Sequence, residues 1–226
     1  MCDDPVATSG KAMMESLEAL VSRMASVLPA IDVSLVPNEA PGGPSSLRVA
    51  PQDGRRAAEF FKSDPGLRLD YLSNLTGVDW PDRVTKQKVK SKRLVDGVEK
   101  EVEETLETRT PGFLEVVYHL YSIELKHGPL IFRMRTADRM AGVHLPSMTP
   151  VWRGAEFQER EVFDLYGVRF DSHPDLRRLL MWETFEDHPM RKDYVEPNDY
   201  EYEPTAHDEV LAKIKERDSS GVSGTA

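Results

Sequence analysis

Residues 113–135 read FLEVVYHLYSIELKHGPLIFRMR, and this stretch decides the fold prediction. β-Branched and aromatic residues, which favour strands, are concentrated in Phe113–Ile123 and again in Leu130–Arg135. Between the two runs, Gly128-Pro129 is a dipeptide typical of turns. The stretch therefore predicts two neighbouring strands of a sheet, joined by a turn at Gly128-Pro129.

Weaker patterns upstream add further elements. Apolar residues spaced as on one face of a helix predict an amphipathic helix over residues 11–28, ended by Pro29. Alternation predicts a strand at Ile31–Leu35 and a short one at Leu47–Ala50. Residues 53–63 have the pattern of a second helix, and residues 69–80 mix a helical turn with the start of a strand.

A densely charged segment, residues 83–109, separates these elements from the two strong strands. An Asp96-Gly97 turn is typical of a two-residue hairpin, and it sets Lys86 opposite Glu107, Lys90 opposite Glu103 and Lys92 opposite Glu101. We interpret the segment as a solvent-exposed β-hairpin. A disordered charged insert is the alternative, and a nucleic-acid patch is disfavoured because glutamates face the lysines.

Residues 149–166, TPVWRGAEFQEREVFDLY, have the strongest helical pattern in the chain. Thr149 suits the N-cap, Pro150 the first turn and Gly167 the C-terminal stop. Helices and strands together predict an α+β domain over residues 11–170, with a mixed or antiparallel sheet and helices packed on it.

The sequence after residue 170 loses this regularity. Residues 171–204 contain prolines, basic pairs and scattered aromatics, and we interpret them as an extended C-terminal arm that binds a partner. A short helix is predicted over 205–217 and a disordered tail over 218–226. Residues 1–10 are expected to form a flexible N-terminus.

Composition limits the classes of function. Lys and Arg number 29 against 39 Asp and Glu, so the net charge is −10 and nucleic acid is an unfavourable partner. The single cysteine, Cys2, allows neither an internal disulfide nor a cysteine-ligated iron–sulfur cluster, and such usage fits a reducing compartment. No signal peptide and no membrane-spanning segment are expected.

Glu159 is the first candidate for a functional residue, because it falls on the apolar side of its helix. Arg160 is spaced for i,i+4 ion pairs with Glu156 and with Asp164, so we interpret the cluster as a structural or interfacial ion-pair network. The alternative is catalysis in which Glu159 and Glu161 serve as acid and base. Residues two apart on a helix, however, point in different directions.

Two histidine-proline turns, HPDLRR at 173–178 and HPMRK at 188–192, form the second candidate set. His173 and His188 could supply half of a metal site, although the signal is weak without cysteine nearby. We favour rigid turns whose basic residues bind a partner, with acidic residues balancing some of the charge. The basic residues are Arg177, Arg178, Arg191 and Lys192, and the acidic ones are Asp175 and Asp193. Pairing of the arginines with their own domain is the alternative. GxGxxG, GxxxxGK[ST] and GxSxG signatures are absent from the sequence.

Three ordered blocks carry a family resemblance. They are EREVFDLYG at 159–167, HPDLRRLL at 173–180 and HPMRKDY at 188–194. Together with LTGVD at 75–79, YHLYS at 118–122 and PSMTPVW at 146–152, they resemble the signature of the C subunit of the NADH:quinone oxidoreductases, which is the 30 kDa-type subunit of respiratory complex I. The resemblance covers roughly residues 50–197. The insert at 83–109 and the sequence after Pro197 depart from the family pattern.

The resemblance implies a non-catalytic, structural subunit in the hydrophilic arm of a proton-translocating complex. Such a subunit binds the quinone-site subunit, also called the D subunit, and lies near iron–sulfur subunits. It reaches the membrane only through the complex, at the cytoplasmic face of the inner membrane in bacteria. FMN and the iron–sulfur clusters belong to partner subunits, so this chain is expected to bind no cofactor and no metal and to have no activity alone.

The resemblance leaves other assemblies open. The chain could be the equivalent subunit of a related membrane-bound hydrogenase or of a ferredoxin- or F420-linked complex. A free-standing acid/base hydrolase is a further alternative.

Overall fold

A computed structural model describes residues 15–38, 40–95, 98–140 and 142–195. The helices are α1 (Leu17–Val27), α2 (Gly54–Ser63) and α3 (Ala155–Tyr166), with a 3₁₀ turn at Pro51–Asp53. The strands are β1 (Val33–Val36), β2 (Ser46–Val49), β3 (Tyr71–Trp80), β4 (Arg83–Val95), β5 (Val98–Thr110), β6 (Phe113–Ser122), β7 (His127–Arg135), β8 (His144–Pro146) and β9 (Arg169–Asp171).

Five strands form the main sheet, in the order β1-β2-β7-β6-β3. The β6–β7 and β3–β6 pairs are antiparallel, as is the β1–β2 pair, whereas β2 and β7 are parallel. The short strands β8 and β9 form a separate parallel pair. A mixed sheet packed against helices confirms the α+β fold class.

The core lies between one face of this sheet and the three helices. Leu20 of α1, Phe61 of α2 and Val162 of α3 belong to one buried cluster with Tyr118 of β6 and Phe132 of β7. The Tyr118 and Phe132 rings stack with their centroids 4.3 Å apart. We call this side of the sheet the inner face.

Alternate residues of the same strands point to the other side, which we call the outer face. Val117 of β6 and Ile131 of β7 are buried there but lie outside the main core cluster. The outer face therefore has a separate, smaller set of contacts.

The charged insert forms a two-stranded sheet of its own, β4 with β5. Lys86 pairs with Glu107, Lys90 with Glu103 and Lys92 with Glu101, which is the register predicted from the Asp96-Gly97 turn. The Lys86 and Glu107 side chains make a salt bridge of 2.7 Å. Residues 96 and 97 themselves lie outside the described ranges.

Two local predictions were wrong. Residues 71–80 form one continuous strand, because β3 pairs along its length with β6. Gly128-Pro129 is a cis peptide inside β7, and the turn lies earlier, at Ile123–Lys126. There, Lys126 takes a positive φ of 55° and the Ser122 hydroxyl accepts a hydrogen bond from the Leu125 N–H.

The third helix begins later than predicted, at Ala155 rather than at Thr149. Residues 148–152 instead form turns, in which the Met148 carbonyl accepts from the Val151 and Trp152 N–H groups. The Thr149 hydroxyl is directed to Glu159 and is not an N-cap. Gly167 ends the helix as predicted, in the left-handed conformation with φ 80°.

The chain divides into two compact units, residues 1–192 and 193–226. The first unit contains residues 171–192, which the sequence assigned to an extended arm beginning at residue 171. The polar side chains of residues 171–192 bind the preceding part of the domain, and the boundary between the two units therefore lies after residue 192. The predicted flexible N-terminus, the part of the arm after Val195, the helix at 205–217 and the tail at 218–226 lie outside the described residues.

Candidate docking surface beside the third helix

Asp164, in the last turns of α3, anchors the segment that follows β9. Its side chain is fully buried, and Oδ1 accepts a 2.6 Å hydrogen bond from Arg178 Nη1. Oδ2 accepts from three successive backbone N–H groups, those of Leu179, Leu180 and Met181, at 2.7–3.0 Å. Although burial alone would raise the pKa of Asp164, these hydrogen bonds lower it below its ordinary value. One ionised carboxylate therefore fixes the backbone of a whole turn.

The carbonyl end of α3 binds the same segment. His188 Nδ1 lies 2.9 Å from the Asp164 carbonyl oxygen, and Arg191 Nε donates to the Tyr166 carbonyl at 2.7 Å. The Met190 N–H donates to the Leu165 carbonyl. Helix C-termini leave carbonyls without intrahelical partners and favour nearby cations, so both the hydrogen bonds and the charge of Arg191 stabilise this arrangement. Burial lowers the pKa of His188, which favours the neutral ring.

Arg160 ties the middle of α3 to the same segment. Its guanidinium donates to the carbonyls of Arg177 and Arg178, each at 3.1 Å, and Nη1 lies 3.9 Å from Asp175. The predicted i,i+4 pair with Asp164 is replaced, because Asp164 pairs with Arg178. Arg160 thus binds the backbone of residues 177 and 178.

Asp79 of β3 holds the far end of this segment, and it is a residue that reasoning from sequence missed. Its carboxylate accepts from Arg139 Nε and Nη2, at 2.6 and 2.7 Å, and from the Lys192 N–H at 2.8 Å. Arg191 donates in turn to the Arg139 carbonyl. A signal was present, since Asp79 follows Leu75 and Gly77 on the buried side of the strand.

Glu159 is buried as predicted, but it is enclosed by the domain. Its carboxyl accepts from Ser147 Oγ and the Met148 N–H, both at 2.6 Å, and from Thr149 Oγ1 at 3.3 Å. Burial raises the pKa of Glu159 to about 7. Glu161 is exposed, so the two carboxyls face different environments and do not form an acid–base pair.

The remaining predicted residues fall into an inner and an outer group. The His173 side chain is fully buried, with Nε2 3.0 Å from the Glu156 carbonyl, so the two histidines bind separate backbone carbonyls. Arg177 is exposed and pairs with Asp175 at 2.9 Å. Lys192 and Asp193 are also exposed. Within the described ranges, no three His, Cys, Asp or Glu side chains are grouped to hold a metal ion.

We call residues 171–192 the latched strip, since buried polar groups hold its backbone to the domain. Its exposed side chains are of two kinds, charged ones such as Glu183, Glu186 and Asp187, and several large apolar ones. The large apolar ones are Leu179, Leu180, Trp182 and Met190, and Phe157 of α3 is exposed as well. Leu180 is 61% and Met190 54% exposed. An ordered backbone that displays large apolar side chains is typical of a protein-binding surface.

None of the helices that the structure describes is long and apolar enough to cross a bilayer.

Comparison with known proteins places this strip inside a matched region. The family model for the respiratory-chain NADH dehydrogenase 30 kDa subunit matches residues 47–200. A Rhizobium meliloti (strain 1021) protein, named as the C 2 subunit of NADH-quinone oxidoreductase, is 38% identical over 151 residues, which are 66% of this chain and 65% of the relative. The chain therefore spans just under two thirds of that relative's length.

A second relative is a longer protein. The C/D subunit of NADH-quinone oxidoreductase from Phocaeicola vulgatus is 36% identical over 61% of this chain but only 21% of its own length. Among solved structures, a chain of the membrane-bound sulfane sulfur reductase, an archaeal respiratory membrane complex, is similar over 94% of this chain and 96% of its own. Its TM-score of 0.51 at 20% identity shows a shared fold. Because the family model covers most of the chain, including α3 and the latched strip, this protein is a member of the respiratory-chain NADH dehydrogenase 30 kDa subunit family.

Proposed function

We propose that this chain is a non-catalytic, structural subunit of the peripheral arm of a proton-translocating NADH:quinone oxidoreductase. The observation that carries the proposal is the family match over residues 47–200, which includes every residue of the latched strip. In this role the chain supports the quinone-site subunit, while electrons pass from NADH to quinone through other subunits.

The latched strip is the surface through which we expect the chain to dock. Its fixed backbone lowers the entropic cost of binding, because Asp164 and Arg160 already order the turn before a partner arrives. Exposed Trp182 and Leu180 supply apolar area of the kind that dominates binding energy at protein interfaces.

The quinone-site subunit, the D subunit, is the partner that we propose. The Phocaeicola vulgatus relative is named as a joint C/D subunit, and this chain matches only 21% of it. Two subunits joined in one chain have to lie close to each other in their assembly. The same neighbourhood is inferred for the separate chain described here, with iron–sulfur subunits nearby.

Cofactor binding is assigned to the partners rather than to this chain. One cysteine cannot supply the roughly four thiolates of an iron–sulfur cluster. The candidate acid Glu159 is buried among groups of its own domain, which supports a structural role. FMN and the clusters are therefore proposed to lie in partner subunits, and the isolated chain is proposed to have no activity. Attachment to the cytoplasmic face of the inner membrane would follow from assembly.

A related membrane-bound complex is the second candidate. The observation in favour of this candidate is the fold that the chain shares with a chain of an archaeal respiratory membrane complex. Genes adjacent to this one distinguish the two, since a large subunit with nickel-binding cysteine pairs would indicate a hydrogenase. Relatives named as NADH-quinone oxidoreductase subunits support the first candidate.

Affinity purification of the tagged full-length chain from its native membranes tests the proposal. The quinone-site and iron–sulfur subunits should co-purify, together with NADH:quinone oxidoreductase activity. Recovery of the chain only as a monodisperse monomer, with the activity in other fractions, would refute it.

A further inference from the structure

The outer face of the main sheet carries a cluster of polar and aromatic residues built around Glu115. This carboxylate is fully buried and accepts from Arg135 Nε at 2.8 Å and Arg133 Nη1 at 3.2 Å. Trp80 Nε1 donates to it at 3.2 Å. Phe113 completes the cluster, with its ring below the Arg135 guanidinium at 4.4 Å. The Glu115 carboxylate thus already accepts hydrogen bonds from two arginines and from the Trp80 indole.

The strand register adds a third arginine beside this cluster. Arg48 of β2 is the cross-strand partner of Arg133 of β7, and Arg48 is exposed. Like charges directly opposite each other in a sheet are destabilising. Among the described residues, Arg48 has no ion-pair or hydrogen-bond partner. The carboxylate of the cluster, Glu115, is already paired with Arg133 and Arg135. The face is therefore locally basic on a chain whose net charge is −10.

Buried polar atoms without hydrogen bonds lie along the same face. They are Arg133 Nε, His119 Nδ1 and Ser34 Oγ, where Ser34 is the cross-strand partner of Arg48. Burial and then the neighbouring Arg133 lower the pKa of His119, so its ring adds no charge near neutrality. In folded proteins a buried donor is nearly always paired, and leaving one unpaired is costly. A hydrogen-bond acceptor of a binding partner that reached Arg133 Nε would relieve this cost.

We propose that this outer face is a second docking surface, and that it binds an acidic polypeptide segment of a neighbouring subunit. Arginine guanidinium groups bind carboxylates in a bidentate geometry, and the half-exposed Trp80 offers an apolar contact beside them. The surface differs from the latched strip, since its residues belong to β1, β2, β3, β6 and β7. The proposal rests on the proposed function only in assuming that the chain assembles with other subunits.

Two other anionic partners fit the face less well. Lipid headgroups are recognised by clusters of about four to eight protruding basic residues, whereas here Arg133 and Arg135 are recessed, with side chains only 22% and 31% exposed. Nucleic acid requires extensive phosphate neutralisation, and Glu115 stands at the centre of the cluster.

Site-specific photo-crosslinking in the assembled complex tests the proposal. A photoreactive residue replaces Arg48 in one variant and, as a matched control, Arg55 of α2, which is exposed on the helical side of the domain. Position 48 should crosslink to a subunit peptide of net negative charge, at a yield at least fivefold above position 55. Crosslinks to lipid, or to a peptide without acidic excess, would overturn the proposal. Equal yields at the two positions would do the same.

Charge reversal gives a second, independent measurement. Arg48→Glu should lower retention of the chain in the complex after a high-salt wash by severalfold, whereas Arg55→Glu should leave it unchanged. Lysine substitution of the acidic residue found by crosslinking should restore retention of Arg48→Glu. Unchanged retention of Arg48→Glu contradicts the inference about the outer face. Failure of the wild-type chain to assemble contradicts instead the proposed function.

Discussion

Asp164 and Arg178 form an ion pair of 2.6 Å in which the aspartate is fully buried and the arginine side chain is 12% exposed. The same carboxylate binds the N–H groups of residues 179–181, so this pair fixes the start of the apolar surface that we assign to docking. The adjacent Arg177 is 65% exposed and pairs with the exposed Asp175. Neighbouring arginines in one motif thus have opposite roles, one internal and one external.

Substitution of each arginine by alanine should separate these roles. Arg178→Ala leaves Asp164 buried without its cation, and loss of one partner of a buried pair costs about 3–5 kcal/mol of unfolding free energy. Arg177→Ala should change the unfolding free energy far less, because exposed ion pairs contribute little to stability. Urea unfolding of the two variants measures the contrast. Equal losses would show that Arg177 also belongs to the domain.

A surface substitution should impair docking without unfolding the domain. Leu180→Asp places a charge on a side chain that is 61% exposed, so the unfolding free energy should change by no more than about 0.5 kcal/mol. Co-purification with the quinone-site subunit should nevertheless fall at least tenfold, because a charge would be buried at the interface. Ile123→Asp is the matched control, since Ile123 is 62% exposed at the β6–β7 turn. Similar co-purification by both variants would exclude the strip as the principal docking surface.

Gly167 connects the end of α3 with the latched strip, and alanine substitution should damage both. Its φ of 80° disfavours any other residue, and an added Cβ would clash with the His188 ring and lie 2.9 Å from Arg191 Nη2. Gly142 has the same φ, but its nearest neighbour would be 3.9 Å away. Gly142→Ala should therefore report backbone strain alone, about 1–2 kcal/mol.

Gly167→Ala should lower the unfolding free energy by that strain plus about 1–3 kcal/mol for the steric clash. Thermal and urea unfolding of the two variants give the difference. Hydrogen exchange should also show faster exchange at the Met190 and Arg191 amides in Gly167→Ala only. If the two variants lose the same free energy, the strip is not held against Gly167 as the structure describes.

The sequence predicted the local features of this fold better than the long-range ones. The register of the β4–β5 hairpin followed from a two-residue turn, and the end of α3 followed from a glycine, because both depend on a few adjacent residues. Gly128-Pro129 was mistaken for a turn, since the residues that form the true turn, 123–126, carry no glycine or proline. Local propensity gave way there to pairing between β6 and β7.

For the candidate docking surface, too, the sequence predicted local features better than long-range contacts. The two histidine-proline motifs of the latched strip were candidates from the sequence, and burial of Glu159 followed from helical periodicity. Arg178 and Arg191 bind the end of α3, which is the alternative that the sequence left open for the arginines. Spacing along the sequence could not show that Asp164 would reach the amides of residues 179–181. For this reason, deletion of residues 171–204 is a poor test of docking, as it would also uncover Asp164 and Arg160.

Glu159 gives a prediction about pH. Burial raises its pKa from the ordinary 4.5 to about 7, against hydrogen bonds from Ser147, Met148 and Thr149 that lower it. The folded protein thus binds a proton at this carboxyl more tightly than the unfolded chain. The stability that results is fully present below pH 4.5 and is lost as the pH rises through 7.

The free energy of unfolding of the wild-type protein should therefore fall, relative to that of Glu159→Gln, by about 3 kcal/mol between pH 4.5 and pH 8. Urea unfolding at half-unit pH intervals measures this difference, in which groups common to both proteins cancel. The buried Tyr118 stays neutral in this range, because its pKa lies well above its ordinary value. His173 Nε2 lies 3.9 Å from Glu159 Oε2, so the difference between the two proteins includes the interaction of this ring with the carboxyl. Glu161→Gln, an exposed change on the same helix, should run parallel to the wild type. If the Glu159→Gln profile also runs parallel, Glu159 is ionised in the folded protein throughout this range, and its enclosure by residues 147–149 does not control its proton.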